Sequence, residues 1–79
     1  MTGEPSDSAV AACIRDMATA RAPATLCPSE IARALAADWR PLMAQVRRVA
    51  AGLPDIAATQ RGVEVDPVAA RGPIRLSLR

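Results

Sequence analysis

The chain has 79 residues, of which 51% are hydrophobic, but 18 of these are alanine, so it can form only one domain with a small core. It has no histidine, lysine or tyrosine and a single aromatic residue, Trp39, which removes the commonest catalytic bases and any aromatic platform for stacking nucleic-acid bases. The net charge of +2 is unevenly distributed. Residues 1–38 contain three arginines and five acidic residues, a net charge of −2, whereas residues 39–79 contain seven arginines and three acidic residues, a net charge of +4. An anionic partner is therefore expected at the second half.

No apolar run approaches the roughly 18 residues of a membrane-spanning helix, and residues 1–7 lack the basic and apolar regions of a signal peptide. We therefore expect a cytoplasmic protein that does not bind membranes, with a flexible N-terminus at residues 1–6 and a single domain at residues 7–79. Cys13 and Cys27 are expected to be free thiols. Two cysteines without histidine cannot complete a tetrahedral metal site unless carboxylates join them, and we expect no metal, cofactor or small-molecule substrate.

The first helix is predicted to begin at Ser6 or Asp7, since either residue can cap it. Its apolar positions have the i, i+3, i+4, i+7 spacing of one buried face: Val10, Cys13, Ile14 and Met17. The helix is expected to end near Arg21, because Pro23 disfavours helical backbone before it. Residues 24–26 are short and partly β-branched, which is typical of a single strand or an extended connector.

The run CPSE at residues 27–30 predicts the start of a second helix. Proline is tolerated at the first helical position, and a glutamate at the third can bind back to the N–H of the cap residue. Cys27 is a poor capping acceptor, so Thr25 or Ser29 are alternative caps. The apolar stripe is Ile31, Ala34 and Leu35, and the helix is expected to end near Ala37. Catalysis by Cys27 is disfavoured, because Glu30 beside it would repel a thiolate.

A third helix is predicted at residues 39–51, with Asp38 as its cap and Pro41 in its first turn. Gly52 is expected to adopt the left-handed conformation just past the helix end, and Pro54 forbids continuation. At 100° per residue this helix has two opposed faces. The apolar face consists of Trp39, Leu42, Met43, Val46, Val49 and Ala50. The opposite face, which is predicted to be exposed and basic, consists of Arg40, Ala44, Arg47, Arg48 and Ala51.

The last third of the chain changes to strand patterns. Residues 56–60 are predicted to form a strand, the RG pair at 61–62 a two-residue turn, and residues 63–65 the returning strand of a hairpin. The DP pair at 66–67 indicates a further turn, across which Arg71 could pair with Asp66. Residues 74–78 alternate apolar and polar side chains and predict a final strand. The side chains of this strand expected to face the core are Ile74, Leu76 and Leu78.

Three helices followed by a β-hairpin wing and a final strand predict an α+β fold of the winged helix-turn-helix type. Motifs along the chain resemble a small bacterial winged-helix family catalogued only as a domain of unknown function. These motifs are CPSEIARAL at 27–35, DWR at 38–40, LM at 42–43, TQRG at 59–62, VDP at 65–67 and ARGPIRL at 70–76. The resemblance covers roughly residues 8–79 and implies the winged-helix fold without an established activity. At residues 51–54 the chain departs from the longer third helix and Glu-Gly turn of that family.

The basic face of the third helix is interpreted as the contact surface of a DNA-binding domain of the transcription-regulator kind, not of an enzyme. Arg40, Arg47 and Arg48 are expected to contact phosphates or guanine edges in the major groove of double-stranded DNA. Arg61, at the wing tip, is expected to reach the adjacent backbone or minor groove, and Arg71 and Arg75 are further candidates. The alternative is a protein–protein interaction or homodimerisation module without nucleic-acid binding, because a small alanine-rich domain gains stability by association.

Overall fold

The computed structural model describes residues 4–79, and it has the predicted α+β fold, in which three helices precede a three-stranded antiparallel sheet. The helices are α1 (Asp7–Arg21), α2 (Pro28–Leu35) and α3 (Met43–Ala51), with a 3₁₀ turn at Arg40–Leu42 directly before α3. The strands are β1 (Ile56–Gln60), β2 (Val63–Glu64) and β3 (Arg75–Leu78). This order is compatible with a winged helix. Half of the N-terminus predicted to be flexible, residues 1–3, lies outside the described residues.

β1 is the central strand of the sheet, whose order is β2-β1-β3. It pairs with β3 from Ile56 opposite Leu78 to Thr59 opposite Arg75, and it pairs with β2 over two residues only. The extended segment before α2 joins the sheet at one point, where Leu26 exchanges two backbone hydrogen bonds with Leu76, at 2.9 and 2.7 Å. This bridge ties the connection between α1 and α2 to β3.

The core lies between the three helices and one face of the sheet. Its buried side chains are Val10, Ile14, Ala18, Leu26, Ile31, Ala32, Leu42, Val46, Val49, Ala50, Ile56, Ala58, Ile74 and Leu76. The predicted apolar faces of α1 and α3 are confirmed, although Cys13, Met17, Trp39 and Met43 are only partly buried against this core. Each fully buried Leu, Ile or Val contributes about 1.5–3 kcal/mol, so these few aliphatic side chains supply most of the driving force for folding.

α1 and α2 begin where the sequence predicts. The Ser6 hydroxyl oxygen accepts a hydrogen bond from the N–H of Ala9 at 3.1 Å and caps α1. At α2 the Glu30 carboxylate accepts a hydrogen bond from the N–H of Cys27 at 2.9 Å. This is the reciprocal half of a capping box, with the Cys27 sulfur in the position of the usual hydroxyl.

The prediction for the connection between α2 and α3 is wrong in three details. α2 ends at Leu35 rather than near Ala37, because Ala36 adopts extended backbone with φ −158° and ψ 148°. Residues 40–42 form a 3₁₀ turn rather than the first turn of α3, since the N–H of Leu42 bonds to the C=O of Trp39, three residues back. Within residues 4–79, Asp38 makes no capping hydrogen bond to either helix. In addition, the predicted stripe of α2 holds at Ile31, which is buried, and at Leu35, which is partly buried against the core, whereas Ala34 is exposed.

The predicted left-handed conformation of Gly52 is also wrong. Its φ is −88° and its ψ is 0°, which is right-handed backbone open to any residue. The end of α3 is closed by short-range bonds instead, from Gly52 N–H to Val49 C=O and from Leu53 N–H to Ala50 C=O. These i to i−3 bonds tighten the last turn and satisfy its carbonyls without a left-handed residue.

The hairpin turn is confirmed, and the final strand is confirmed in part. Arg61 and Gly62 have φ values of 54° and 80°, the two positive angles that a type I′ turn requires. In the final strand segment Ile74 and Leu76 are buried, but the prediction that Leu78 faces the core is wrong, since it is 37% exposed. Leu78 lies at the last pair of the β1–β3 ladder, where no further strand residue covers it.

Candidate nucleic-acid interface

Arg47 lies on the predicted basic face of α3, but its guanidinium binds the protein's own wing, a name used here for residues 61–74. Its Nη1 donates to the C=O of Ala70 at 2.8 Å and to that of Pro67 at 3.4 Å, and its Nη2 donates to the C=O of Gly72 at 2.5 Å. β2 and β3 are separated by β1 and do not pair with each other. The Arg47 side chain therefore donates hydrogen bonds to three carbonyl groups of the wing and connects the wing to α3.

Gln60, at the end of β1, fixes the same loop from the other side. Its Nε2 donates to the C=O of Arg71 at 2.6 Å and to that of Pro73 at 3.2 Å. Within the loop, the Asp66 carboxylate accepts a hydrogen bond from the N–H of Val68 at 2.8 Å, as in a turn. The suggested pairing of Arg71 with Asp66 is therefore wrong, because Asp66 is engaged by its own loop.

Arg48 pairs with Asp7 at the start of α1. Its Nη1 and Nη2 lie 2.8 and 3.0 Å from the two carboxylate oxygens, and Gln45 Nε2 donates to the same carboxylate at 2.9 Å. The hydrogen bonds from Arg48 and then Gln45 hold the pKa of Asp7 at about 2, below its ordinary value of 3.8. Arg48 is thus neutralised by an exposed carboxylate that joins α1 to α3.

Trp39, directly before the 3₁₀ turn, has two guanidinium groups over its ring. The Cζ of Arg40 lies 4.7 Å from the ring centroid, and the Cζ of Arg33, on α2, lies 4.5 Å from it. Both arginines are exposed, whereas Trp39 is partly buried against the core. These are cation–π distances, so the ring attracts and orients both cations.

Arg61 and Arg71 are the two exposed cations of the wing. Neither side chain makes a hydrogen bond or an ion pair with any residue from 4 to 79. Arg61 occupies the hairpin turn, one residue after Gln60. Arg71 is flanked by Ala70 and Gly72, the two residues whose carbonyls Arg47 binds most closely. The wing therefore presents both guanidinium groups to solvent, and Arg71 lies in the segment that Arg47 holds against α3.

The remaining arginines are occupied by other partners. Ion pairs join Arg15 to Asp55, Arg21 to Glu30 and Arg79 to Glu64, and Arg75 binds the hydroxyl and carbonyl oxygens of Thr25. Hydrogen bonds from Arg21 and then from the Cys27 N–H lower the pKa of Glu30, and the bond from Arg15 lowers that of Asp55. In the described part of the chain, the arginines without a carboxylate or carbonyl partner are Arg33, Arg40, Arg61 and Arg71.

Sequence reasoning included Arg40 and Arg61 among its four contacts and left out Arg33. The sequence did contain a signal for Arg33: Trp39, the sole aromatic residue, lies between Arg33 and Arg40, and the face of an aromatic ring attracts guanidinium groups. Arg47 and Arg48 stay predictions as DNA contacts, since each would have to exchange its present bonds for bonds to DNA.

Two open clefts lie beside these residues. One, of about 560 Å³, lies between the end of α3 and the wing and contains the Glu64–Arg79 ion pair; the other, of about 570 Å³, is lined by Leu35, Pro41 and Asp38. Among residues 4–79, no group of three or more histidine, cysteine or acidic side chains is arranged to hold a metal ion. None of the helices formed by these residues has the length and apolar character needed to cross a bilayer.

Comparison with known proteins gives a family without an assigned role. No curated protein matches the chain. A family model described as a protein of unknown function (DUF3253) matches residues 7–79, which include every helix, every strand and all ten arginines. Because this match covers nearly the whole chain, the protein belongs to the DUF3253 family.

Proposed function

We propose that this protein binds duplex DNA through the wing and the 3₁₀ turn before α3, with Arg40, Arg61 and Arg71 contacting backbone phosphates. The observation that carries the proposal is the bonding of Arg47 to the wing, which holds the Arg71 segment against α3 while the Arg61 and Arg71 guanidinium groups keep their donors available. The proposed role is binding without catalysis.

The local charge supports an anionic partner. Glu64 is neutralised by Arg79, and Asp66 accepts hydrogen bonds from its own loop. The wing cations Arg61 and Arg71 therefore lack a compensating carboxylate. An exposed surface with two uncompensated guanidinium groups attracts phosphates through both charge and bidentate hydrogen bonds.

The exposed face of α3 favours sequence-tolerant binding. The arginines on this face are engaged with the wing and with Asp7. On either side of them the helix offers Ala44 and Ala51, which are exposed but whose side chains cannot donate hydrogen bonds to base edges. Contacts made by Arg40 and the wing arginines with phosphates position a protein without reading sequence. We therefore expect similar affinity for duplexes of different sequence.

The experiment is titration of a fluorescently labelled random duplex, followed by anisotropy, from about 50 mM salt upwards. We expect the logarithm of the binding constant to fall linearly with the logarithm of the salt concentration. The double variant Arg61→Ala with Arg71→Ala should reduce the magnitude of that slope by about 2, since each phosphate contact contributes about 0.9. Absence of wild-type binding at about 50 mM salt would refute the proposal.

A charge-matched control separates local contacts from the loss of net charge. Arg15 is exposed and paired with Asp55, and it takes no part in the proposed surface. Arg15→Ala with Arg21→Ala removes the same number of charges as the wing variant, and neither arginine pairs with a carboxylate of the wing. If this control weakened DNA binding as much as the wing variant, the wing would not be the contact surface.

The second candidate function is association with another protein or with a second copy of the chain. It is favoured by Val63 and Val68, which are 66% and 58% exposed on the same wing. Large exposed aliphatic side chains favour contact with another apolar surface. Sedimentation equilibrium across a wide concentration range tests self-association, and a monomer throughout would remove the homodimer from consideration.

A further inference from the structure

The three side chains Arg33, Trp39 and Arg40 form a second cationic cluster, at the connection between α2 and α3. Both guanidinium carbons lie within 5 Å of the same ring centroid. They therefore cannot be farther apart than the sum of their two centroid distances, about 9 Å. Two like charges at this distance repel each other, and an anion that contacts both guanidinium groups relieves that repulsion.

The ring orients these arginines without using their hydrogen-bond donors. A guanidinium has five N–H groups around the edge of a planar group, and a cation–π contact with an aromatic ring is made through electrostatic attraction to the ring face. No donor of Arg33 or Arg40 makes a hydrogen bond to any acceptor within residues 4–79. The cluster thus offers two oriented forks of the kind that match a phosphate group.

The carboxylate nearest to the cluster in sequence is that of Asp38. Asp38 is exposed, forms no ion pair within the described residues, and lines the cleft that also contains Glu4. Its negative charge weakens the attraction of the cluster for an anion but leaves both guanidinium groups unpaired. The cluster is therefore available to an external anion.

We propose that Arg33, Trp39 and Arg40 form a phosphate-binding site for the nucleic-acid backbone, separate from the wing. Arg33 and Arg40 contact the phosphate oxygens, and Trp39 is a positioning residue. The two guanidinium carbons are at most about 9 Å apart, which is short enough for both arginines to contact the backbone of the same strand. This site rests on the proposed function, to which it adds Arg33 and a second point of attachment.

Trp39 provides a direct test, because it is the only aromatic residue in the chain and its fluorescence reports on its own surroundings. We expect the Trp39 emission to change when the full-length protein is titrated with inorganic phosphate or with an unlabelled duplex. The change should be lost in Arg33→Ala and in Arg40→Ala, and it should persist for inorganic phosphate in the wing variant Arg61→Ala with Arg71→Ala. No change with either probe in the wild type would overturn the site.

Affinity measurements add a magnitude and distinguish the two proposals. Arg33→Ala should weaken duplex binding about tenfold at about 50 mM salt. Each phosphate contact multiplies the binding constant by roughly the molar salt concentration raised to the power of about −0.9, and this factor is lost with the contact. Arg33→Lys keeps the charge but not the fork, so it should keep the salt slope and recover part of the affinity. Asp38→Asn should tighten binding. Far-UV circular dichroism checks that each variant folds.

The failure of this site and the failure of the proposed function give different results. If the duplex binds, the wing variant weakens it and Arg33→Ala binds like the wild type, the cluster is not a contact and the proposed function stands. If the wild type binds no duplex, the proposed function is wrong and the cluster is not a site for the nucleic-acid backbone. A Trp39 response confined to an acidic peptide probe would likewise overturn the assignment to phosphate.

Discussion

Replacing Arg47 by alanine removes the side chain that ties the wing to α3. The variant loses two short hydrogen bonds, to the carbonyls of Ala70 and Gly72, and a longer one to Pro67. After the substitution these carbonyls can be hydrated, because the loop is largely at the surface. Each short bond therefore contributes about 1 kcal/mol net, and the expected loss is about 2 kcal/mol in the free energy of unfolding.

Urea unfolding followed by circular dichroism and thermal unfolding measure this loss. For a domain of this size, about 2 kcal/mol corresponds to a decrease of roughly 8–16 °C in Tm. Amide hydrogen exchange should also become faster at Ala70, whose N–H bonds to the C=O of Asp66 within the wing. Arg47→Lys keeps the charge but cannot span both carbonyls, so its stability should lie between those of the wild type and Arg47→Ala.

Arg48→Ala is the matched control, since it removes the same residue type from the next position of α3. The side chains of Arg48 and Asp7, which form its ion pair, are 60% and 55% exposed. Loss of this pair should therefore cost less stability and leave amide hydrogen exchange in the wing unchanged. If Arg47→Ala unfolded at the wild-type urea midpoint and weakened DNA binding instead, Arg47 would be a DNA contact and not a wing tether.

Three further predictions concern the termini of the helices and the hairpin turn. Arg48 stabilises the ionised form of Asp7, whose pKa is lowered from 3.8 to about 2. The stability difference between the wild type and Asp7→Asn should therefore be full above about pH 4 and disappear as the pH falls through about 2. Urea unfolding at several pH values measures this difference. Gly62→Ala should destabilise the fold by about 1 kcal/mol because its φ is +80°; no atom lies within 4 Å of the added Cβ, so the cost comes from the backbone conformation alone. Gly52→Ala, at φ −88°, should be neutral or stabilising. Equal losses of stability in thermal unfolding would contradict the assigned backbone conformations. Cys27→Ser should preserve stability or raise it by up to about 1 kcal/mol, because a hydroxyl is the better capping acceptor; a clear decrease in Tm would show that burial of the sulfur matters more.

The elements that could be predicted from sequence have short-range causes. The start of α1, the Pro28 and Glu30 pattern of α2 and the Arg61–Gly62 turn each depend on residues within about four positions of one another, and all three are confirmed. The end of α3 shows where this reasoning fails. A glycine followed by Leu and Pro is typical of a left-handed cap, but the i to i−3 bonds of residues 52 and 53 satisfy the carbonyls by another route.

The candidate site depended on contacts that no local pattern contains. Helical periodicity correctly placed Arg47 and Arg48 on the face of α3 away from the core. It could not show that Gly72, 25 residues later, and Asp7, 41 residues earlier, would occupy them. A guanidinium binds whichever oxygen the folded chain brings within about 3 Å, and at these sequence separations that choice is made by the packing of α1 and the wing against α3. The sequence by itself therefore determined the helices, the hairpin and the positive charge of the second half of the chain, whereas only the tertiary structure decided which arginines keep their hydrogen-bond donors for a partner.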